Sequence, residues 1–532
     1  MTTVAKNIND EILISIYLKR DKHENGMTLQ QYADGVLAGT QPILGHAEFV
    51  YQFGATDDDL DNVVAWAERN GLTVSESHHG QSVVKVTGTV GTFNNLFNIT
   101  LQDVTDGERT YMMPDGDITI PSEIADVVES VPGFDQSFLA VKHAVKFEPQ
   151  SVDPNVVNPF LSAVTPIQMA TAYKVPAGDG NGGCIGIFEL TYSGYVTGYS
   201  TSDVTSSFTR IGLTPPTIVQ VNVDGATAST TSDAESMLDI YCSAGMAPKA
   251  KIAYYTAPNT GNQSIIDNIL AAANDTTNNP SALDISWGIG DGIQFDTALQ
   301  ACVAKGITVF VSSGDSGAVN LSMAATCCSQ YMVSAGGTSI SLDGSNNITS
   351  EVAWSGSGGG ISSSVALPTW QSTSSYTTKT SAGVLGTATS LPRRGVPDIS
   401  APADPNSGFA FYVSGSLQQW GGTSASAPLL AGLWVRLNTL LGTRIPFNMT
   451  TWYTNRTTMF NDITSGDNVL SANGYTNGYT TTSGWDAVTG LGSPKADQIY
   501  KYFHTGTTFP KLNYGARPAT GVAYPRRTTG AR

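Results

Sequence analysis

Residues 421–428 read GGTSASAP and run directly into LLAGLWVRL, a pattern that would hold the Ser424 hydroxyl at the start of a buried helix. A serine hydroxyl attacks poorly at its own pKa and needs a base within hydrogen-bond reach. The histidines are His23, His46, His78, His79, His143 and His504, with none between residues 144 and 503. A Ser-His-Asp set therefore cannot be assembled from that stretch, which leaves carboxylates as candidate bases. In SDAESMLDIYCSAG, Glu235 and Asp239 lie four apart and share one helix face. Two such groups repel, and their coupling can raise one pKa. In ITVFVSSGDSG, Asp315 follows the end of an apolar run; a buried, protonated carboxyl there could donate to an oxyanion. Each piece also has an ordinary reading. Ser424 could be a helix N-cap, Ser232-x-x-Glu235 a capping box, Asp239 a solvated helix residue, and Asp-Ser-Gly a plain turn.

The elements that would position these groups follow from periodicity. CIGIFEL, TIVQVNV, KIAYYT, ALDISWG and ITVFVSS are short continuous apolar runs, as expected of strands buried on both faces of a parallel sheet. SDAESMLDIYCSAG, SIIDNILAAAND and FDTALQACVAKG are helical stretches among them. The alternation predicts a doubly wound α/β sheet, whose site gathers beyond the C-terminal ends of its strands. Upstream, residues 10–140 predict a small α+β unit. ILISIYL and QSVVKVTG read as strands, DDDLDNVVAWAERN as a helix stopped by Gly71, and TVGTFNNLFN as a second, short helix. EPQSVDPNVVNP carries three prolines and reads as a linker.

The chain has 532 residues, a net charge of −17 and only 13% charged residues. Most of the acidic excess lies in the first 150 residues. A surface with few carboxylates has few to protonate in acid, which suits acid tolerance. The acidic balance argues against nucleic acid as a partner, and no apolar run reaches the ~18–20 residues of a membrane span. The N-terminus lacks a signal peptide's pattern. The five cysteines are odd in number and show no metal-type spacing. The last residues, from about 505, are basic and read as a disordered tail.

Taken jointly, GGTSASAP, the Glu-x-x-x-Asp helix and SSGDSG resemble the sedolisins, the serine-carboxyl peptidases. The resemblance implies a subtilisin-like fold preceded by a ferredoxin-like pro-domain. It makes Ser424 the nucleophile, Glu235 its general base and acid, Asp239 the group that orients Glu235, and Asp315 the completion of the oxyanion hole. Glu189 in CIGIFEL and Trp287 in DISWG match positions that extend the carboxylate network in kumamolisin-like members. QFGATDDDLDNVVAWAERNGLTV resembles the pro-domain, and TPIQMATAYKVP the start of the mature enzyme. The implied organisation is a pro-domain over 1–147, a linker with the processing point over 148–164, a peptidase domain over 165–504 and a tail over 505–532.

FNDITSGDN and TTSGWDAVTGLGSP place Asp462 and Asp486 in Gly-rich loops. Such residues are commonly turn formers, but calcium takes carboxylate and carbonyl oxygens. By the same resemblance, one Ca2+ is bound by the side chains of Asp462 and Asp486 and the carbonyls of Ile463, Thr482 and Gly484. The expectation is an acid-active endopeptidase, made as a self-processing zymogen, acting on protein and peptide substrates, and inhibited by its own pro-domain. It would be a monomer when mature and would work outside the cell or in an acidic compartment. The alternatives are a tripeptidyl exopeptidase and a non-catalytic protein that reuses the fold.

Overall fold

The computed structural model describes residues 1–20, 26–107, 109–147, 163–191, 196–290, 292–321 and 327–505. Most of the 148–164 linker, and the tail beyond 505, lie outside the described residues. The chain divides into two compact units, Met1–Thr28 with Gly45–Gln136 and Leu29–Leu44 with Ser137–Thr507.

In the first unit, Glu11–Leu18 (β1), Asp57–Arg69 (α1), Thr73–His78 (β2), Val83–Thr89 (β3), Val90–Phe97 (α2) and Val128–Ser130 (β4) follow one another. The sheet runs β2-β3-β1-β4, all antiparallel. That order and the β-α-β-β-α-β succession make the ferredoxin-like unit. Its strands alternate, so Ile14, Ile16, Leu18, Val84 and Val86 share the face that packs against Leu60, Val63, Trp66, Phe93 and Phe97. The start of α1 is fixed by Thr56, whose side chain accepts from the Asp59 amide, and by three acidic residues in its first turn.

The second unit is built on Cys184–Thr191 (β5), Ile218–Asn222 (β6), Ala234–Met246 (α3), Lys251–Pro258 (β7), Asn262–Asn274 (α4), Ala282–Ile285 (β8), Asp296–Ala304 (α5), Thr308–Ser312 (β9), Val333–Leu342 (β10), Ile348–Ala353 (β11), Ile399–Pro402 (β12) and Thr423–Leu441 (α6). The sheet runs β6-β7-β5-β8-β9-β10-β11, and β12 also pairs with β10. All pairs are parallel except β10 with β11. Strand order reverses at β5, which lies between β7 and β8, so a crevice opens beyond the ends of β5 and β8. The apolar runs became strands as expected, with one difference. β6 is an edge strand of exposed and half-buried residues rather than one covered on both faces.

Two stretches of the expected pro-domain belong to the second unit. Helix Leu29–Ala38 buries Leu29, Tyr32, Ala33, Val36 and Leu37. Asp34 on that helix accepts from Tyr331 Oη at 2.8 Å, and the Leu44 amide donates to the Ala304 carbonyl at 2.7 Å. The other stretch, from residue 137 onward, enters the crevice.

Candidate active site

Ser424 lies in the first turn of α6, whose N-cap is Gly422 at φ 98°. Ser424 is therefore not the cap. Gly422 accommodates both the left-handed φ and the crowding: a Cβ there would meet the His143 carbonyl oxygen at 2.2 Å and Asp315 Oδ2 at 2.5 Å. Pro428 stands inside α6. Because it has no N–H, the Ser424 carbonyl lacks its helical donor, and Ser286 Oγ donates to that oxygen instead, at 3.4 Å. The Ser424 hydroxyl donates to the Ser286 carbonyl at 3.3 Å. One serine just past β8 thus holds both ends of the candidate nucleophile.

Glu235 opens α3, a helix buried on every side. The cap of α3 is Asp233, whose carboxylate accepts from the Glu235 and Ser236 amides at 3.0 and 3.3 Å. The capping box expected from Ser232 is not formed, and Ser232 Oγ donates to Ser200 Oγ. The Glu235 carboxyl takes no part in the cap and is buried. Burial pushes its pKa well above the usual range, opposed chiefly by hydrogen bonding toward Ser424 and by the Lys142 charge. With the Ser424 hydroxyl turned to Ser286, neither Glu235 oxygen closes a hydrogen bond of good geometry with a described residue. The dry surroundings, more than the Asp239 coupling expected from sequence, thus set the direction of the shift.

Asp239, one turn on, is fully buried and raised well above its ordinary value by burial and by the charges of Asp284, Glu235 and Glu189. Asp284 was not anticipated. It is buried within ALDISWG, accepts from Ser286 Oγ at 3.5 Å, and its charge acts on that of Asp239. A carboxylate inside an otherwise apolar run was the signal for it. Glu189, near the end of β5, accepts from Trp287 Nε1 at 3.1 Å and is raised by burial to about 7. Four buried carboxyls this close share few negative charges, so the group holds protons at acid pH. Asp315 follows β9. Its Oδ1 accepts from the Thr423 amide at 2.7 Å and from the Thr423 hydroxyl at 2.9 Å, and burial raises its pKa to about 7. Its Oδ2 has no hydrogen-bond partner among the described residues.

The segment after residue 139 crosses this crevice. Ala140 exchanges two hydrogen bonds with the Asn259 side chain, at 3.2 and 2.9 Å. Val141–Lys142 pairs antiparallel with Trp287–Gly288, and Val145–Lys146 with Trp420–Gly421. Between these pairings, His143 Nδ1 meets Ser312 Oγ at 2.9 Å, and burial lowers the ring to about pH 4. An imidazole does reach the crevice, then, but it is occupied with Ser312.

Burial of protonated carboxyls has a consequence for stability. Glu189 and Asp315 titrate near 7 when folded and near 4 when unfolded. The folded state binds more protons in that window. Its stability is full below about pH 4 for these groups and is lost as pH rises through 7. A Ser424→Ala chain should therefore show a lower denaturant midpoint at pH 7 than at pH 4.5; a midpoint that rises over that range contradicts the assignment.

At the far loops, Asp462 Oδ2 accepts from the Gly484 amide at 2.9 Å, and Asp486 Oδ2 from the Thr482 amide at 3.3 Å. The turn 482–486 thus links both carboxylates. Asp486 is fully buried, with no cationic side chain bonded to it among the described residues. Among the described residues no cluster of three or more His, Cys, Asp or Glu side chains is gathered. The turn brings two carboxylates to one pair of loops, and carboxylate oxygens are the donor chemistry that a hard cation takes.

A parallel sheet with a serine at the start of the buried helix α6 defines a subtilisin-like serine peptidase. A model described as "Pro-kumamolisin, activation domain" matches residues 5–137, and the subtilase family model matches residues 223–485. Kumamolisin of Bacillus sp. (strain MN-32) is 32% identical over 91% of this chain and 90% of that protein. Xanthomonalisin of Xanthomonas sp. (strain T-22) is 26% identical over 90% of this chain and 64% of that protein. The solved structure of Pseudomonas sedolisin, a serine-carboxyl proteinase complexed with pseudo-iodotyrostatin, matches with a TM-score of 0.54 at 23% identity, covering 65% of this chain and 98% of that one. The chain belongs to the sedolisin family of serine peptidases, and it carries the activation domain of a zymogen.

Proposed function

We propose that this peptidase is an acid-active, self-processing endopeptidase in which Ser424 attacks the scissile carbonyl and Glu235 takes the proton. The reading is supported by the packing of α3 against α6, where Gly432 meets the Ser243 backbone, by the electrostatic influence of Ser424 on the buried Glu235 carboxyl, and by an imidazole that is bound to Ser312. Attack forms the Ser424 ester of the substrate's N-terminal part. Glu235 returns the proton to the leaving amine, and a water, deprotonated by Glu235, then releases the acid. Asp239, sharing protons with Asp284, holds Glu235 in place. Glu189 and Trp287 close the network around it. Asp315, protonated below about pH 7, donates from Oδ2 to the oxyanion. Asp315 gives up its proton near pH 7, which sets the upper pH limit of activity, and Glu235 must carry one of the few negative charges that the carboxyl cluster keeps below that limit. Work in an acidic or extracellular setting follows from that profile. No helix among the described residues is long and apolar enough to cross a membrane.

The endopeptidase reading over the tripeptidyl one is supported by Asn259. Its side chain grips the Ala140 backbone, four residues ahead of the crossing point, where an enzyme that removes tripeptides would need a free amino terminus. The zymogen acidified to about pH 4 and followed by gel and N-terminal sequencing tests the whole. The expected result is loss of the activation domain and cleavage of an unfolded protein at internal bonds. A chain that stays full length and cuts nothing favours a scaffold.

Asp315→Asn keeps a donor and should cost about 10-fold in kcat, whereas Asp315→Ala should cost about 10²–10³-fold. Because the amide does not titrate, the fall in activity toward pH 7 should move to higher pH in the Asn variant. Equal loss in both, with the pH limb unchanged, removes the donor role.

The calcium site rests on the same reading. One Ca2+ between Asp462 and Asp486 would tie the two loops together. Adding Ca2+ at ~100 Kd to the chelated Ser424→Ala chain should raise Tm by about 2–4 °C. Asp462→Asn should remove most of that rise, and an unchanged Tm on adding Ca2+ contradicts the site.

A further inference from the structure

The crossing segment is read here as a bound substrate of the proposed peptidase, and its side chains therefore report what the crevice selects. Its register is set on both sides: Lys142 pairs with Trp287, and Val145 with Gly421. The His143 carbonyl oxygen lies against the same point of Gly422 as Asp315 Oδ2, the proposed oxyanion donor. The bond presented for attack is then His143–Ala144, and Lys142 is the second residue before it.

Lys142 enters a built pocket. Its ammonium donates to Asp233 Oδ1 at 2.8 Å and to the Val196 carbonyl at 3.3 Å. It lies 5.2 Å from the Trp287 ring centroid, which adds a cation–π contact. Asp233 is itself pinned: its Oδ2 accepts from the Gly198 amide at 2.7 Å and from Ser236 Oγ at 2.8 Å. A carboxylate held by that many donors stays in place when the lysine leaves, so it presents a fixed anion to whatever enters next.

We infer that Asp233 is a specificity residue that selects Lys or Arg at the second position before the cleaved bond, and that the first bond so selected is His143–Ala144 of the chain itself. The helix α3 therefore carries two assignments side by side: Asp233 reads the substrate while Glu235 moves the proton. The cut after His143 lies upstream of the expected 148–164 region, so any processing there is a later event.

Two peptides that differ only in Lys or norleucine at that position, assayed at about pH 5, provide the test. The acid-matured wild-type enzyme should cut the lysine peptide about tenfold better in kcat/KM, as expected of one partly buried, hydrogen-bonded charge pair. Asp233→Asn keeps a good helix cap. It should bring the ratio near one while leaving kcat/KM for the norleucine peptide within about threefold of wild type. If Asp233→Asn lowers both peptides equally, Asp233 is only a cap and the inference is overturned. Sequencing of the first fragment released by wild type on acidification should read from Ala144; a first N-terminus elsewhere overturns the register. A wild-type enzyme that cuts neither peptide nor itself would instead sink the peptidase mechanism on which this rests.

Discussion

Ser424→Ala leaves the zymogen full length at pH 4 and lowers turnover of any peptide by a factor on the order of 10⁴–10⁶. The size of the effect follows from the lack of a substitute. Ser286 and Thr423, the hydroxyls on either side, are committed. Ser286 bonds the Ser424 carbonyl, and Thr423 donates to Asp315 while accepting from the Gly314 amide. The variant should fold normally, because the hydroxyl makes a single 3.3 Å bond to a carbonyl, worth about 0.5–1.5 kcal/mol. Circular dichroism matching wild type, with no self-cleavage on a gel, is the expected pair of results. Processing at the wild-type rate would remove Ser424 from the mechanism.

Glu235→Ala is the second large effect. A positioned general base contributes about 10²–10⁴-fold, and the nearest imidazole, His143, is bound to Ser312 and leaves with the processed segment. The variant should therefore not remove its activation domain at pH 4. Asp239 and Asp284, buried beside it, cannot replace it: Asp239 lies one helical turn away. Glu235→Gln separates shape from chemistry, since the amide fills the same space and cannot accept the proton. It should be nearly as slow as the alanine variant. Recovery of most activity in Glu235→Gln would mean that the side chain only fills space.

The parts of this site that could be read from sequence share one property: the local pattern alone predicts an element and a special residue at its end. Ser424 follows Gly-Gly-Thr before an apolar helix, Glu235 and Asp239 share a helical period, and Asp315 follows a buried strand. Strand and helix runs of the sheet were legible for the same reason, except that edge position, which decided the exposure of β6, is a tertiary property. Asp284 was written in the sequence as a charge in an apolar run, yet its partner Asp239 is 45 positions earlier, and only the fold joins them. Asp233 gave way to Ser232 as the expected cap because the Ser-x-x-Glu pattern fits a capping box, whereas the side chain one residue on makes the bonds. The segment 140–147 carries no compositional signal at all. Its pairing with Trp287–Gly288 and Trp420–Gly421 links positions more than a hundred residues apart. The stretch 29–44 likewise joins the second unit through contacts with residues near 304 and 331.

The account depends on transfer of the Ser424 proton to a carboxylate, and the acylation step alone reports it. Acyl-enzyme formation on Ser424 from an activated peptide ester, followed by mass spectrometry at pH 4–5, should be slower in Glu235→Gln by about 10²-fold or more than in wild type. Acylation of Ser424 at the wild-type rate in that variant would contradict the account.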